Sequence, residues 1–161
     1  TAITLASYTD RPELGEMVPL LARQLEAAGF SVTQDVREYN QIETEALAGK
    51  FDAVLVSRST VLDSGDAVAY MTADFSSSGS YSMSQLSDPT VDAAISKASG
   101  NEPGEERRKA IMEAEQAILV TGAAIPIVHE RVLQGEAAGV SGAERDPNER
   151  TLITSSTAVK K

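Results

Sequence analysis

Apolar residues recur along this chain at two periods, and the switch between them marks its elements. "ITLASY" (Ile3 to Tyr8) alternates weakly, the pattern of a strand. The turn-rich "TDRPELG" follows. From about Glu16 to Ala28, Met17, Val18, Leu21, Leu25 and Ala28 fall at helical spacing. Pro19 fits if that helix begins near Gly15, because first-turn amides have no intrahelical acceptor. Gly29 is its C-terminal stop. "SVTQDVR" predicts a second strand with Val32 and Val36 on one face. "NQIETEALAGK" predicts a short helix with Ile42, Ala46 and Leu47 inward and Gly49 as its stop. "FDAVLVS" is near-continuously apolar and β-branched, as expected of a strand covered on both faces. The first 58 residues therefore read β-α-β-α-β, an α/β pattern that implies a mainly parallel sheet with right-handed crossovers.

The rest of the chain is less regular. A short helix is predicted from Asp66 to Thr72. The Ser-rich stretch from Asp74 to Pro89 has no period and reads as a surface loop anchored by Phe75, Tyr81, Met83 and Leu86. "DPTVDAAISKAS" predicts a helix capped by Asp88 with Pro89 at its first position. "EPGEERRKAIMEAEQAILVTG" predicts the longest helix, with a stripe of Ile111, Ala114, Ile118 and Thr121 flanked by Ala110 and Ala117. Its acidic start suits the helix dipole. "AAIPIVHERVLQGEAAGV" predicts one or two strands, at an edge or bulged at Pro126, which cannot donate to a ladder. "SGAERDPNER" is a loop and "TLITSSTAV" a last strand-like stretch. No internal repeat is present.

Composition narrows the function. The chain has 161 residues, enough for one domain with a real core. With 42% hydrophobic and 24% charged residues it reads as globular. Its net charge of −10 argues against nucleic acid, which needs a basic stripe; the only basic cluster, Arg107-Arg108-Lys109, lies among acids. The absence of cysteine excludes thiol catalysis, thiolate metal sites and disulfides. A single histidine, His129 in an apolar stretch, reads as structural and rules out a His-rich metal site. No nucleophile elbow, phosphate loop or dinucleotide fingerprint occurs, so no catalytic residue, metal or cofactor is expected. Glu43 and Glu45, two apart on a helix, do not share a face. The chain starts at Thr1 with no methionine, basic n-region or h-region, so either a preceding segment was removed or this is a piece of something longer.

The polar loop from Ser57 to Asp66 interrupts an apolar run and follows the third strand. In open α/β sheets, ligands bind outside the carboxyl ends of strands, near the reversal in strand order. Arg58, Ser59, Thr60, Asp63 and Asp66 are therefore candidate ligand-binding residues, with Ser57 beside them. Asp63 and Asp66 would equally cap the short helix and make turns through "DSGD". Tyr81 offers an aromatic face and a hydroxyl, or else anchors its loop. Tyr8 belongs to the cleft edge or to the core.

Four stretches carry a resemblance. "LASYTDRPELGEMVPLLARQLEAAGFSV", "LAGKFDAVLVSR", "SSGSYSMSQLSDPTVDAAI" and "ERRKAIMEAEQAILVTGAAIPIVHERVLQGEAAGVSG", in that order, resemble the C-terminal lobe of ABC-importer solute-binding proteins of the peptide/nickel family. The resemblance covers roughly Ile3 to Gly142. It implies a three-layer αβα lobe of the periplasmic-binding-protein type, occupying residues 1–161, with the tail from 143 returning toward a missing N-terminal lobe. It further implies a peptide or similar small solute trapped between lobes, an ABC permease as partner, an extracytoplasmic lipoprotein as parent, and no enzymatic activity. The alternative is reuse of the lobe alone as a biosynthetic enzyme or protein-interaction domain. The sequence departs from the family at the loop. Arg58 stands where many relatives have tryptophan, and the acid that holds a peptide's amino group falls near Val61. That salt bridge does not carry over. Asp63 or Asp66 would replace it, or the ligand lacks a free amine and Arg58 meets a carboxylate.

Overall fold

In the computed structural model, which describes residues 1–58, 65–129, 133–144 and 153–160, the alternating and apolar segments form β1 (Ala2–Tyr8), β2 (Ser31–Arg37) and β3 (Ala53–Val54). They make a parallel sheet in the order β2-β1-β3. β2 pairs along the whole of β1, from Ala2 opposite Ser31 to Tyr8 opposite Arg37. Between them runs α1 (Pro12–Ala27), and α2 (Tyr39–Leu47) connects β2 to β3. Going from β1 out to β2 and back across β1 to β3 reverses direction in the sheet. Right-handed crossovers then put α1 and α2 on opposite faces, which gives three layers. Val32 and Val36 both pack on the α1 side, with Leu5, Leu14, Val18 and Ala22 at the centre.

The helices that follow build a second core. α3 (Ala67–Phe75), α4 (Pro89–Gly100) and α5 (Glu105–Val120) bury Val68, Met71, Val91, Ile95, Ala110, Ala114 and Ile118 against one another. Each of the larger side chains among them, Val68, Met71, Val91, Ile95 and Ile118, is worth about 2 kcal/mol when fully buried. Small residues at 110 and 114 let α5 approach α4 closely. Asp88 caps α4 as expected, its Oδ1 accepting from the amides of Thr90 at 2.7 Å and Val91 at 3.3 Å. A two-stranded antiparallel pair, β4 (Val140–Ser141) with β5 (Ala158–Val159), completes the described elements.

Several expectations need correction. α1 begins at Pro12, not near Gly15, because Pro12 itself fills the first helical turn. Pro19 therefore lies inside the helix, on its exposed side, where water can reach the carbonyl left without a donor. β3 is two residues long, not seven, and among the described residues is paired on one side only; Val56 beyond it is exposed. α3 runs on to Phe75, past Thr72. The stretch 124–129 forms no strand: Pro126 has no N–H, no described strand lies beside it, and Ile125 and Val128 are 76% and 70% exposed. Of "TLITSSTAV" only Ala158–Val159 is strand, with Thr151 and Leu152 outside the described residues. On α5 the buried line is Ala110, Ala114 and Ile118, with Ile111 and Ala117 at its flank and Thr121 exposed at the C-cap.

The Ser-rich loop wraps the end of α3. Ser76 Oγ donates to the Thr72 carbonyl at 2.7 Å, and the Tyr81 amide donates to the Ala73 carbonyl at 3.0 Å. Both are carbonyls that the last helical turn leaves unpaired. Gly79 lies so close to the Ala73 and Thr72 oxygens that a Cβ there would collide with backbone. The exposed Gly15, inside α1, has open space around it. Gly79→Ala is therefore expected to lower stability by about 2 kcal/mol, and Gly15→Ala to raise it by about 0.5–1 kcal/mol. Urea denaturation of both variants checks the pair; equal effects would contradict the reading of the loop.

Candidate functional site

All three parallel strands end on the same edge of the sheet, and a cleft of about 330 Å³ lies there. Tyr8, Asp10 and Arg11 reach it from the end of β1, and Tyr39 from the end of β2. Val56, Ser57 and Arg58 reach it from the end of β3, and Tyr81 and Met83 from the Ser-rich loop. This is the edge where strand order reverses at β1, the place at which open α/β sheets leave room for a ligand.

The wall beyond β3 is held by β1. Ladder pairing ends at Val54, but the Leu55 amide donates to the Ala6 carbonyl at 2.8 Å and Ser7 Oγ donates to the Leu55 carbonyl at 2.9 Å. The Tyr8 hydroxyl then bonds Ser57 twice, accepting from its amide at 3.0 Å and donating to its carbonyl at 3.1 Å. The Tyr8 ring is buried and meets Tyr39 edge-on at 4.9 Å. Tyr8 thus serves core and cleft together.

Arg58 crosses from the sheet to the helical core. Its Nη2 donates to Asp74 Oδ1 at 2.8 Å, and its guanidinium carbon lies 4.6 Å from the Tyr81 ring centre and 5.4 Å from that of Tyr70. These distances are in cation–π range. The Asp74 side chain is only 11% exposed, that of Arg58 35%. Burial pushes the Asp74 carboxyl up from its ordinary value, against the pull of the Arg58 charge and hydrogen bond. Burial likewise raises the Tyr81 hydroxyl, which stays protonated at neutral pH and donates a hydrogen bond to Glu43 Oε1 at 2.8 Å. Tyr39 donates to the same oxygen at 3.0 Å. Glu43 therefore ties α2 to the Ser-rich loop. Glu45 pairs separately with Arg37 and Lys50, in keeping with the two acids not sharing a face.

Of the candidate residues, the structure brings Arg58 and Tyr81 together in the cleft, with Ser57 beside them. Asp66 is elsewhere. It caps α3, accepting from the Val68 amide at 3.0 Å, and its other oxygen accepts from Arg107 Nη2 at 2.7 Å. Ser59, Thr60 and Asp63 lie outside the described residues. Sequence reasoning missed Asp10, Arg11 and Tyr39. They follow β1 and β2, whose exits the carboxyl-end rule reaches as readily as that of β3. Sequence reasoning also missed Asp74, whose signal was a lone acid in the apolar helix "AVAYMTADF", a position that needs a cationic partner.

Removing that partner gives a pH-dependent outcome. Arg58→Met leaves the buried Asp74 carboxylate uncompensated, and its carboxyl moves further up. A group whose folded pKa is raised stabilises below its unfolded value and loses that contribution as pH rises through the folded pKa. The variant is therefore expected to be about 2–3 kcal/mol less stable at pH 7, with the gap closing as pH falls toward about 4. Urea denaturation at pH 7 and pH 4 measures both, and a gap that widens in acid would contradict the pairing.

No protein-family model and no curated protein matches the chain. Solved structures do. A dipeptide-binding protein from a Pseudoalteromonas species, in complex with Met-Leu, matches 99% of this chain over 32% of its own length, at 19% identity and a TM-score of 0.77. NikA from Staphylococcus aureus, in complex with Ni(L-His)2, matches 99% of this chain over 34% of its own, at 17% identity and a TM-score of 0.68. The nickel ABC transporter protein from Bacillus halodurans matches 76% of this chain over 26% of its own, at 22% identity and a TM-score of 0.66. This chain spans about a quarter to a third of their lengths. With its parallel 2-1-3 sheet, it has the fold of one lobe of the nickel- and peptide-type ABC substrate-binding proteins.

Proposed function

We propose that this chain is the ligand-contacting lobe of a two-lobed ABC solute-binding protein that captures a peptide or similar small solute outside the cytoplasm and delivers it to a membrane permease. The observation that carries this reading is the place of the cleft. It opens at the carboxyl ends of β1, β2 and β3, and its walls come from three separate strand exits and one loop. A site of that kind grips one side of a solute and leaves the other side for an opposing surface. The fold likeness to a dipeptide-binding protein solved with Met-Leu, and to NikA solved with Ni(L-His)2, supports the same class of role.

Exposed apolar residues also favour a missing companion. Val120, Ile125, Val128 and Leu133 are 80%, 76%, 70% and 89% exposed. A second lobe packed over this segment would cover them. Arg58, Tyr81 and Ser57 are the residues proposed to meet the solute, and Asp66 is assigned to structure.

Half a clamp binds weakly, because half its contacts are gone and each 1.4 kcal/mol lost is about tenfold in affinity. Calorimetric titration of free dipeptides such as Met-Leu into the chain alone is expected to show dissociation constants no tighter than about 0.1 mM. A submicromolar constant would contradict the half-cleft reading, because the chain would then enclose a ligand unaided.

A further inference from the structure

Packing between elements stops at one boundary in the chain. α1 and α2 pack on the sheet, and α3, α4 and α5 pack on one another. No buried residue belongs to both apolar cores. The Ser-rich loop goes with the helices. Ser76 and Tyr81 bond the last turn of α3, the Ser77 amide donates to Asp92 of α4 at 2.8 Å, and Leu86 packs on the helical core. The ties that cross from one body to the other are polar. Arg58 bonds Asp74 and also the Tyr70 hydroxyl, Tyr81 donates to Glu43, and Gln85 donates to the Leu47 carbonyl. Two hollows open along the same join, each lined from both bodies. One is the cleft, where Tyr81 and Met83 meet the strand exits. The other, of about 260 Å³, is lined by Leu47 of α2 and by Ser77, Ser82, Gln85 and Leu86 of the loop. The join also carries unfavourable features. Ser82 Oγ is buried there with no hydrogen-bond partner among the described residues. Gln85 holds a left-handed backbone, with φ at 55°, which a glutamine adopts only at a cost.

We infer that the lobe is itself jointed: α3, α4, α5 and the Ser-rich loop undock as one body from the sheet with α1 and α2, both apolar cores staying intact. A shared apolar core is what makes elements open together, and no apolar cluster spans this join. Hydrogen bonds and a partly exposed ion pair are exchanged for bonds to water at small net cost, so they hold the docked arrangement by a modest margin. Gln85 and Ser82 subtract from that margin. Undocking withdraws Tyr81 and Met83 from the strand exits and so widens the cleft. A molecule seated there that touches both bodies shifts the chain toward the docked form by as much as it prefers that form. The joint is a property of the chain itself and does not depend on what the cleft holds.

The test measures distances between spin labels on introduced cysteines, for which the cysteine-free chain gives no background. Arg23→Cys on α1 with Glu115→Cys on α5 spans the join. Ser96→Cys on α4 with Glu115→Cys lies within the helical body, and all three positions are exposed. Each pair is placed in the parent chain and in a variant without the ties: Glu43→Ala, Arg58→Ala, Asp74→Ala and Gln85→Gly. Removing Arg58 and Asp74 together strands no buried charge, and glycine suits the left-handed backbone at 85. Loss of the ties is expected to raise the ratio of undocked to docked chain by about a hundredfold. Electron–electron distance measurements are expected to show a second, longer α1–α5 distance in the variant, absent from the parent, with the α4–α5 distance unchanged. An α1–α5 distance that is the same in variant and parent overturns the inference. Broadening of both pairs together also overturns it, because the helices would then come apart instead of undocking. Either overturning result leaves the proposed function standing, since no ligand takes part.

Discussion

A strand two residues long must deliver Arg58 to a fixed place, and the Tyr8 hydroxyl is what makes this possible. β3 pairs with β1 in the ladder only at Ala53 and Val54, and of the residues after it only the Leu55 amide bonds the β1 backbone, at the Ala6 carbonyl. Position at Ser57 comes instead from β1 side chains, with Ser7 on the Leu55 carbonyl and Tyr8 on both backbone groups of Ser57. Each such bond is worth about 1 kcal/mol net. Their larger effect is geometric, because they replace the missing ladder. Tyr8 does this only because its ring is locked in the core against Tyr39, and Tyr39 is in turn tied to Glu43.

From that anchored wall the two halves of the molecule meet through polar groups. The sheet with α1 and the trio of α3, α4 and α5 have separate apolar cores. Between them run the Arg58–Asp74 pair, the Tyr81–Glu43 bond and Gln85, whose Nε2 donates to the Leu47 carbonyl at 2.9 Å. An apolar seam would bind the halves more tightly. A polar one leaves an open groove between the halves, lined by side chains that these bonds hold in place. Arg58 belongs to both features, bonding across the seam to Asp74 and lining the cleft.

The elements rich in periodic apolar residues were legible in the sequence. β1, β2, α1, α2, α4 and α5 all have a face that must be buried, and Val32, Ile42, Val91 and Ile118 are where that face falls. The cap at Asp88 was legible because its chemistry is local. What could not be read depended on partners distant in sequence. "FDAVLVS" looks like a doubly covered strand, yet a strand exists only as far as a neighbour pairs with it. "IPIV" is apolar and β-branched, but no described strand pairs with it. The site divided in the same way. Arg58 and Tyr81 were marked by their loops, whereas Asp66 turned out to serve helix and ion pair, and Glu43 and Asp74 acquire meaning only from residues 38 and 16 positions away.

The claim on which the account turns is that Tyr8 fixes the cleft wall at Ser57. Hydrogen exchange of the Ser57 amide in Tyr8→Phe, compared with the parent chain, tests it directly. The substitution keeps the ring and removes only the hydroxyl. Exchange at Ser57 is predicted to rise by about tenfold or more, while the β1 amides paired to β2 keep their protection. Unchanged exchange at Ser57 would contradict the claim, because the wall would then be held by something other than the hydroxyl.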